Sequence, residues 1–305
     1  MESFSSLNLP NSIVTVIVEA ANLSLAKNTW SSYNTAENHI SRCERDTGVK
    51  IEFPMTHRMQ LAYFGWLMKV RNVSSATMDQ YASGLRVAHL KRGVFPPNLR
   101  PDIVKAIIKG RNNDELLAKK APRLAMTNNV MRLLKLSIKR SAFALERKRL
   151  IWAVSCKAYR GSFRIHELLS RKVSEYDPSN TLLGCDVSLQ TAEIEGVVET
   201  YLMVHLKSPK EDKLRKGVNV ELFRTGTLTC PVDAYLKYRA LSKVALSKDA
   251  PLFRLESGGC YTGNQFNKDI KSLLGQHVNY DEKRYLSHSF RAGYASSMAA
   301  AGTLM

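Results

Sequence analysis

The chain has 305 residues, 44% of them hydrophobic, which is enough for a large core and, at roughly 100–200 residues per domain, for two domains. Its 45 Lys and Arg against 27 Asp and Glu give a formal charge of +18, a surplus that points first to nucleic acid as a partner. Five scattered cysteines without C-x-x-C spacing exclude a disulfide framework and a zinc site, and Met1 to Pro10 lacks the basic-then-apolar pattern of a secretion signal.

A short apolar stretch, Ile13 to Ala21, opens the chain as a candidate helix within an N-terminal segment, residues 1–24. From Leu25 the pattern turns helical, with Trp30, Tyr33, Ala36 and Ile40 on one stripe and Gly48 as its stop. A helix from Thr56 to Val70 follows, and Ser74-Ser75 caps another in which Met78, Tyr81, Leu85 and Ala88 recur at helical spacing. Such aromatic stripes form cores more often than base-stacking platforms. Pro96-Pro97 breaks the pattern before a short helix from Asp102 to Gly110. Between Arg86 and Arg111 there are seven Lys or Arg, among them Lys91 and Arg92, against the single acid Asp102. That asymmetry suggests one face of a helical domain, residues 25–115, laid against phosphates.

Residues 111–125 form a polar and basic stretch containing Pro122 together with Lys119, Lys120 and Arg123, which makes 116–126 the expected linker and a basic DNA tracker. A second domain, 127–305, begins where Thr127 or Asn128 caps a helix through Met131, Leu134 and Ile138. Lys139-Arg140 and Arg147-Lys148-Arg149 also fit a nuclear localisation patch. Leu150 to Ser170 reads as one buried helix with Arg164 near its end, where a charge is costly unless paired, and a phosphate would serve. Cys185–Leu189, Val197–Leu206 and Val218–Leu222 predict a small antiparallel sheet, with residues 207–217 as the loop between two of its strands. Cys230-Pro231 starts a helix to Leu241, and Thr262 caps another that Gly275 ends. The expected fold class is therefore mainly α, with a small antiparallel sheet in the second domain. No Gly-rich nucleotide loop occurs, no run approaches the ~18 apolar residues of a membrane span, and no cofactor or metal is expected. A soluble intracellular protein is expected, nuclear in a eukaryotic host and otherwise cytoplasmic.

Two stretches carry the chemistry. In the first, Tyr285 to Gly302, Ser287 is a candidate N-cap and the Ala-rich run a strong helix former. His288 and Arg291 then share a face near the helix N-terminus, where backbone N–H groups and the dipole also favour an anion. The second is Tyr159-Arg-Gly-Ser-Phe-Arg-Ile-His-Glu-Leu-Leu-Ser. Together they resemble the tyrosine recombinase (phage integrase) family, whose first catalytic arginine sits in an R-I-x-E-L context and whose second box is H-x-[LF]-R-x-x-[FY]-A. Arg164-Ile-His-Glu167-Leu168 matches the first, and His288-Ser-Phe-Arg291-Ala-Gly-Tyr294-Ala295 the second, within a resemblance that spans about residues 25 to 305.

The resemblance implies a helical core-binding domain that clamps double-stranded DNA opposite a catalytic domain, with a tetramer of the chain acting on paired sites. It implies that Arg164 and Arg291 neutralise the scissile phosphate, that His288 donates to it or helps move the proton of the attacking hydroxyl, and that a lysine of the 207–217 loop is the general acid. Lys210 aligns best with that lysine, with Lys207 and Lys213 as alternatives. A tyrosine would attack phosphorus and store the bond energy in a 3′-phosphotyrosyl link, without ATP. In the family that tyrosine follows the second arginine by a few dozen residues, whereas here only Tyr294, part of the box itself, follows Arg291. Three explanations stand: a truncated sequence, a nucleophile from another chain, or lost catalysis in a DNA-binding protein. Truncation is preferred, since Leu304-Met305 is an abrupt end for a domain.

Overall fold

The computed structural model describes residues 10–23, 27–117, 122–174, 176–207, 216–241, 248–278 and 280–300. The chain divides into two units, 1–120 and 121–305. The first is all helical: α1 (Asn11–Leu23), α2 (Lys27–Asn38), α3 (Ile40–Thr47), α4 (His57–Lys69), α5 (Ser75–Lys91) and α6 (Asp102–Leu117). Helix starts follow their caps, with the Thr56 hydroxyl accepting from Met59 N and Ser74 from Thr77 N. The single stripe expected from Leu25 is two helices that meet at His39, and Gly48 ends the second with a positive φ of 68°. Helix α6 runs past the expected stop at Gly110 into the predicted linker. Arg111 and Glu115 pair across one turn at 3.3 Å, and Glu115 accepts from the Ser75 backbone and hydroxyl, which pins this last stretch to α5.

Tyr63, Phe64, Leu67, Met78 and Leu85 fill the core of this unit. Gly84 lets α5 cross α2 closely: a Cβ there would stand 3.0 Å from the Tyr33 carbonyl oxygen. Buried His89 is held neutral, because its Nε2 accepts from Met55 N at 3.0 Å while Nδ1 donates to the Leu85 carbonyl at 2.7 Å. Burial lowers its pKa accordingly.

The second unit combines α7 (Asn128–Arg140), α8 (Leu145–Arg160), α9 (Ile165–Leu168), α10 (Pro231–Arg239), α11 (Gly263–Leu274) and α12 (Ser287–Ala300) with one sheet of β1 (Val187–Ile194), β2 (Val197–Leu206) and β3 (Val218–Phe223). The strands are antiparallel in the order β1-β2-β3, with Leu202 opposite both Leu189 and Leu222. Val187, Leu202, Val204 and Leu222 turn one face to the core. The first strand begins and ends later than its sequence pattern suggested, because Gly184–Asp186 is a 3-10 turn. Strand β3 pairs with β2 only from Tyr201 to Leu206, so the β1–β2 ribbon continues beyond it as two strands alone. The fold is thus mainly helical with a small antiparallel sheet. No described helix is long and apolar enough to cross a membrane.

Helix α8 is the centre of this unit, buried from Leu150 to Tyr159. Lys157 lies within that run, fully buried, its Nζ without a hydrogen-bond partner and 4.4 Å from the centre of the Tyr235 ring. A ring face favours the ammonium, but it replaces little of the lost hydration, so burial wins and the pKa falls to about 7. Lys135, over the Trp152 ring at 4.3 Å, shifts the same way, to about 8. Between about pH 7 and the ordinary lysine range near 10.5, the unfolded chain binds a proton at Lys157 that the folded chain does not. The penalty is therefore full below pH 7 and fades as pH rises. Lys157→Met should raise stability at pH 7 by on the order of 2 kcal/mol and flatten the rise of Tm between pH 7 and 10. Calorimetry of both proteins across that range checks it, and a Met variant that melts lower at pH 7 contradicts it.

Candidate active site

The helix expected to carry Arg164 is interrupted before reaching it. Helix α8 ends at Arg160, Ser162 takes a positive φ of 50°, and Arg164 becomes the residue that caps the short helix α9. Glu167 then holds Arg164 twice: one carboxylate oxygen accepts from its backbone N–H at 2.7 Å and the other from Nη1 at 3.1 Å. The R-x-x-E spacing of the first box is thus a clamp, in which a single carboxylate closes the first turn and fixes the guanidinium's direction.

The second box is placed by its inward-facing residues. Ser287 lies inside α12 rather than capping it, with its N–H on Asn267 Oδ1 at 2.9 Å, and the Ser289 hydroxyl accepts instead from Leu286 N at 3.1 Å. The segment preceding α7 runs alongside, Leu124 N donating to Arg284 O at 3.0 Å and Met126 N to Ser289 O at 2.8 Å. Phe290 is buried against Phe266, and Gly293 backs directly onto Met126, where a Cβ would stand 2.1 Å from the carbonyl oxygen. With these residues turned inward, His288 and Arg291 are left exposed. Tyr294 is half-buried, edge-on to Tyr159 at 5.5 Å, and the Arg160 guanidinium lies 5.8 Å from its ring centre. One turn on, Ser297 meets the Tyr159 hydroxyl at 3.2 Å.

The two boxes converge on α11: Gly263 at its start stands against the His166 ring, two residues after Arg164, and Asn267 one turn on accepts from the N–H of Ser287, next to His288, at 2.9 Å. At Gly263 a Cβ would lie 3.1 Å from the His166 Cε1. His166 remains exposed, but partial desolvation lowers its pKa, and the charges of Arg171 and His288 lower it further. Sequence reasoning did not single out His166 or Arg171, since their neighbours come from distant segments. Arg160 was missed for the same reason. It donates to Thr229 and Thr227 at 3.0 and 2.9 Å, beside the Tyr294 ring.

Of the remaining predicted residues, Lys210 and its alternative Lys213 lie outside the described residues, as do Lys119 and Lys120. Lys207 is bound elsewhere: its Nζ lies 2.7 Å from the buried Asp186 carboxylate and donates to the Pro178 carbonyl at 2.8 Å. Arg86 and Arg123 are exposed. Lys91 sits over Trp30 at 3.8 Å and donates to Asn34, while Arg92 pairs with Glu37 and lies over Phe53. Both therefore tie the end of α5 to its neighbours. Arg147, counted among the basic patch, is paired with Asp269 at 2.7 Å, and Tyr261 donates to the same carboxylate at 2.6 Å. Among the described residues no cluster of His, Cys, Asp and Glu could hold a metal ion.

No protein-family model matches the chain, and no curated protein does. Solved structures do. The XerH site-specific recombinase bound to its palindromic difH substrate, in a post-cleavage complex, superposes with a TM-score of 0.51 at 13% identity, over 90% of this chain and 69% of that one. The fold is that of a tyrosine recombinase. The Tn1549 transposon integrase in complex with circular intermediate DNA is also similar, at a TM-score of 0.44 and 14% identity, over 90% of this chain and 88% of that one.

The contact between Gly293 and Met126 makes a direct prediction. Gly293→Ala should force α12 off the preceding segment, at a cost of about 3 kcal/mol or more, whereas Ala292→Gly on the exposed side should cost ~1 kcal/mol through helix propensity alone. Denaturant titrations of the two variants test this, and equal losses would refute it.

Proposed function

We propose that this chain binds double-stranded DNA and holds one backbone phosphate between Arg164, His288 and Arg291 for site-specific strand cleavage and rejoining, as a recombinase or the integrase of a mobile element. The observation that supports the reading most is the convergence of the two boxes on a recombinase fold: α11 touches the His166 ring, two residues from Arg164, through Gly263 and the Ser287 N–H, next to His288, through Asn267, although Arg164 and Arg291 are 127 positions apart in sequence. Arginine suits the task, because its planar fork gives two parallel hydrogen bonds to phosphoryl oxygens and keeps its charge. A Glu167-fixed Arg164 would meet the phosphate already oriented, which is the preorganisation that charge stabilisation requires. His288 would donate to a phosphoryl oxygen or relay the proton of the attacking hydroxyl, and Lys210 would protonate the departing 5′ oxygen. In this scheme a tyrosine oxygen attacks phosphorus, the 5′ oxygen leaves with a proton, and the reverse reaction rejoins the strand.

Tyr294 fits the nucleophile's role poorly. Its ring is packed against Tyr159 and Arg160 on the same helix as Arg291, so it is not free to align opposite the leaving oxygen. That packing also favours the second reading, a DNA-binding protein that keeps the fold without catalysis.

Binding to duplex DNA should weaken steeply with salt, by about 0.9 in log affinity per log salt for each phosphate neutralised. Charge reversal at Lys119, Lys120 and Arg123 should lower affinity for all sequences about equally and reduce that slope. Band-shift titrations from low to physiological salt give both, and a flat salt response would count against nucleic acid altogether. For the clamp, a duplex selected from a random pool is scanned with neutral methylphosphonate at each position. One position should weaken the native chain about tenfold or more and have no further effect on Arg164→Ala or Arg291→Ala. The 305-residue chain should give no covalent adduct on a nicked duplex of that sequence. An adduct that disappears in Tyr294→Phe would overturn the assignment of Tyr294 as a packing residue.

A further inference from the structure

The β1–β2 ribbon is unlike the rest of the chain. From Val173 to Leu206 there are 34 residues without a Lys or Arg, and they hold six of the 27 acids: Glu175, Asp177, Asp186, Glu193, Glu195 and Glu199. Everything outside that stretch therefore carries all 45 basic residues against 21 acids. Within the ribbon itself, 187–206, the charged residues are Glu193, Glu195 and Glu199 with no Lys or Arg, a bias that disfavours phosphates at its tip.

Its apolar residues are as unusual as its charge. Among the described residues no third strand pairs with the ribbon beyond Tyr201, and Ile194, Val197 and Val198 stand 42%, 57% and 70% exposed. In the pleat Val197 and Val198 point to opposite sides, so each face of the tip presents an exposed valine beside a glutamate. A two-stranded ribbon is marginal by itself. Among the described residues, β1 also pairs with no strand but β2. Proteins ordinarily protect such an edge with lysine, proline or a bulge, and β1 has neither lysine nor proline.

We infer that the tip of the β1–β2 ribbon is a docking surface for a second copy of this chain, whose basic surface sets its cations on Glu193, Glu195 and Glu199 and covers Ile194, Val197 and Val198. Charge complementarity selects this occupant. An anionic membrane would be repelled by the glutamates, whereas a second copy brings a net +24 outside the ribbon stretch. Overall repulsion between two cationic chains is screened beyond about 10 Å at 0.1 M salt, so the local pairing of opposite charges prevails at contact. Because the acidic ribbon meets a different, basic surface, the contact is heterologous and can extend past a dimer.

The test needs no DNA, so it stands or falls separately from the proposed function. Nuclease-treated 305-residue chain is followed by sedimentation equilibrium over a range of concentrations at about 0.1 M and about 0.5 M salt. The weight-average mass should rise with concentration at the lower salt and fall toward the monomer at the higher. Two variants, Val197→Ser/Val198→Ser and Glu193→Lys/Glu195→Lys, should each weaken association about tenfold or more without changing the melting temperature. A native chain that stays monomeric at both salts overturns the inference, even if a different basic protein binds the ribbon. So does association that persists in the Glu-to-Lys variant or at high salt, because the contact would then not be charge-complementary.

Discussion

The candidate site depends on a close approach of backbone to helix, Gly293 of α12 against the Met126 carbonyl. Only a residue without Cβ can stand there, and the contact fixes both the depth and the rotation of α12. Once Gly293 and Phe290 face inward, the 3.6-residue period leaves His288 and Arg291 outward. The hydrogen bonds of Leu124 and Met126 to the chain around Ser289 secure the same junction. An apolar and steric constraint thus aims the imidazole and the guanidinium.

The basic surplus is distributed in two ways. Several cations belong to the architecture: Arg164 on Glu167, Arg147 on Asp269, Lys207 on Asp186 and Arg92 on Glu37. Others, including Arg86, Arg123 and Arg291, are exposed. Counting charges along the sequence cannot separate these groups, since partners such as Asp269 lie more than a hundred residues away. Arg164, half-buried, is the exception to that distance, because its carboxylate partner Glu167 is part of the motif that marks it.

Much of the fold was legible in the sequence because its signals are local. Thr56, Ser74, Thr127 and Thr262 each cap the helix they precede, and alternating apolar residues marked β2 and β3 at nearly their observed limits. The breaks were harder. Nothing in the sequence requires Ser162 to adopt a positive φ, which serine rarely does, so α8 and α9 read as one helix. The bend at His39 is similar, since the apolar stripe continues across it. At the site, the motifs marked Arg164, His288 and Arg291, but the proximity of His166 and the edge-on packing of Tyr294 on Tyr159 are products of tertiary structure.

Buried Lys157 has a consequence for how the protein can be observed. The low basicity of this amine belongs to the closed core, and on opening it regains the solvation and reactivity of an ordinary lysine. Lys157 is sealed inside the second unit, against Tyr235. Acylating reagents can reach it only when that core opens, so its labelling rate measures the opening equilibrium rather than its own chemistry. Surface lysines react at once and supply the baseline. Lys157 thereby makes the chain carry its own clock for excursions out of the native state.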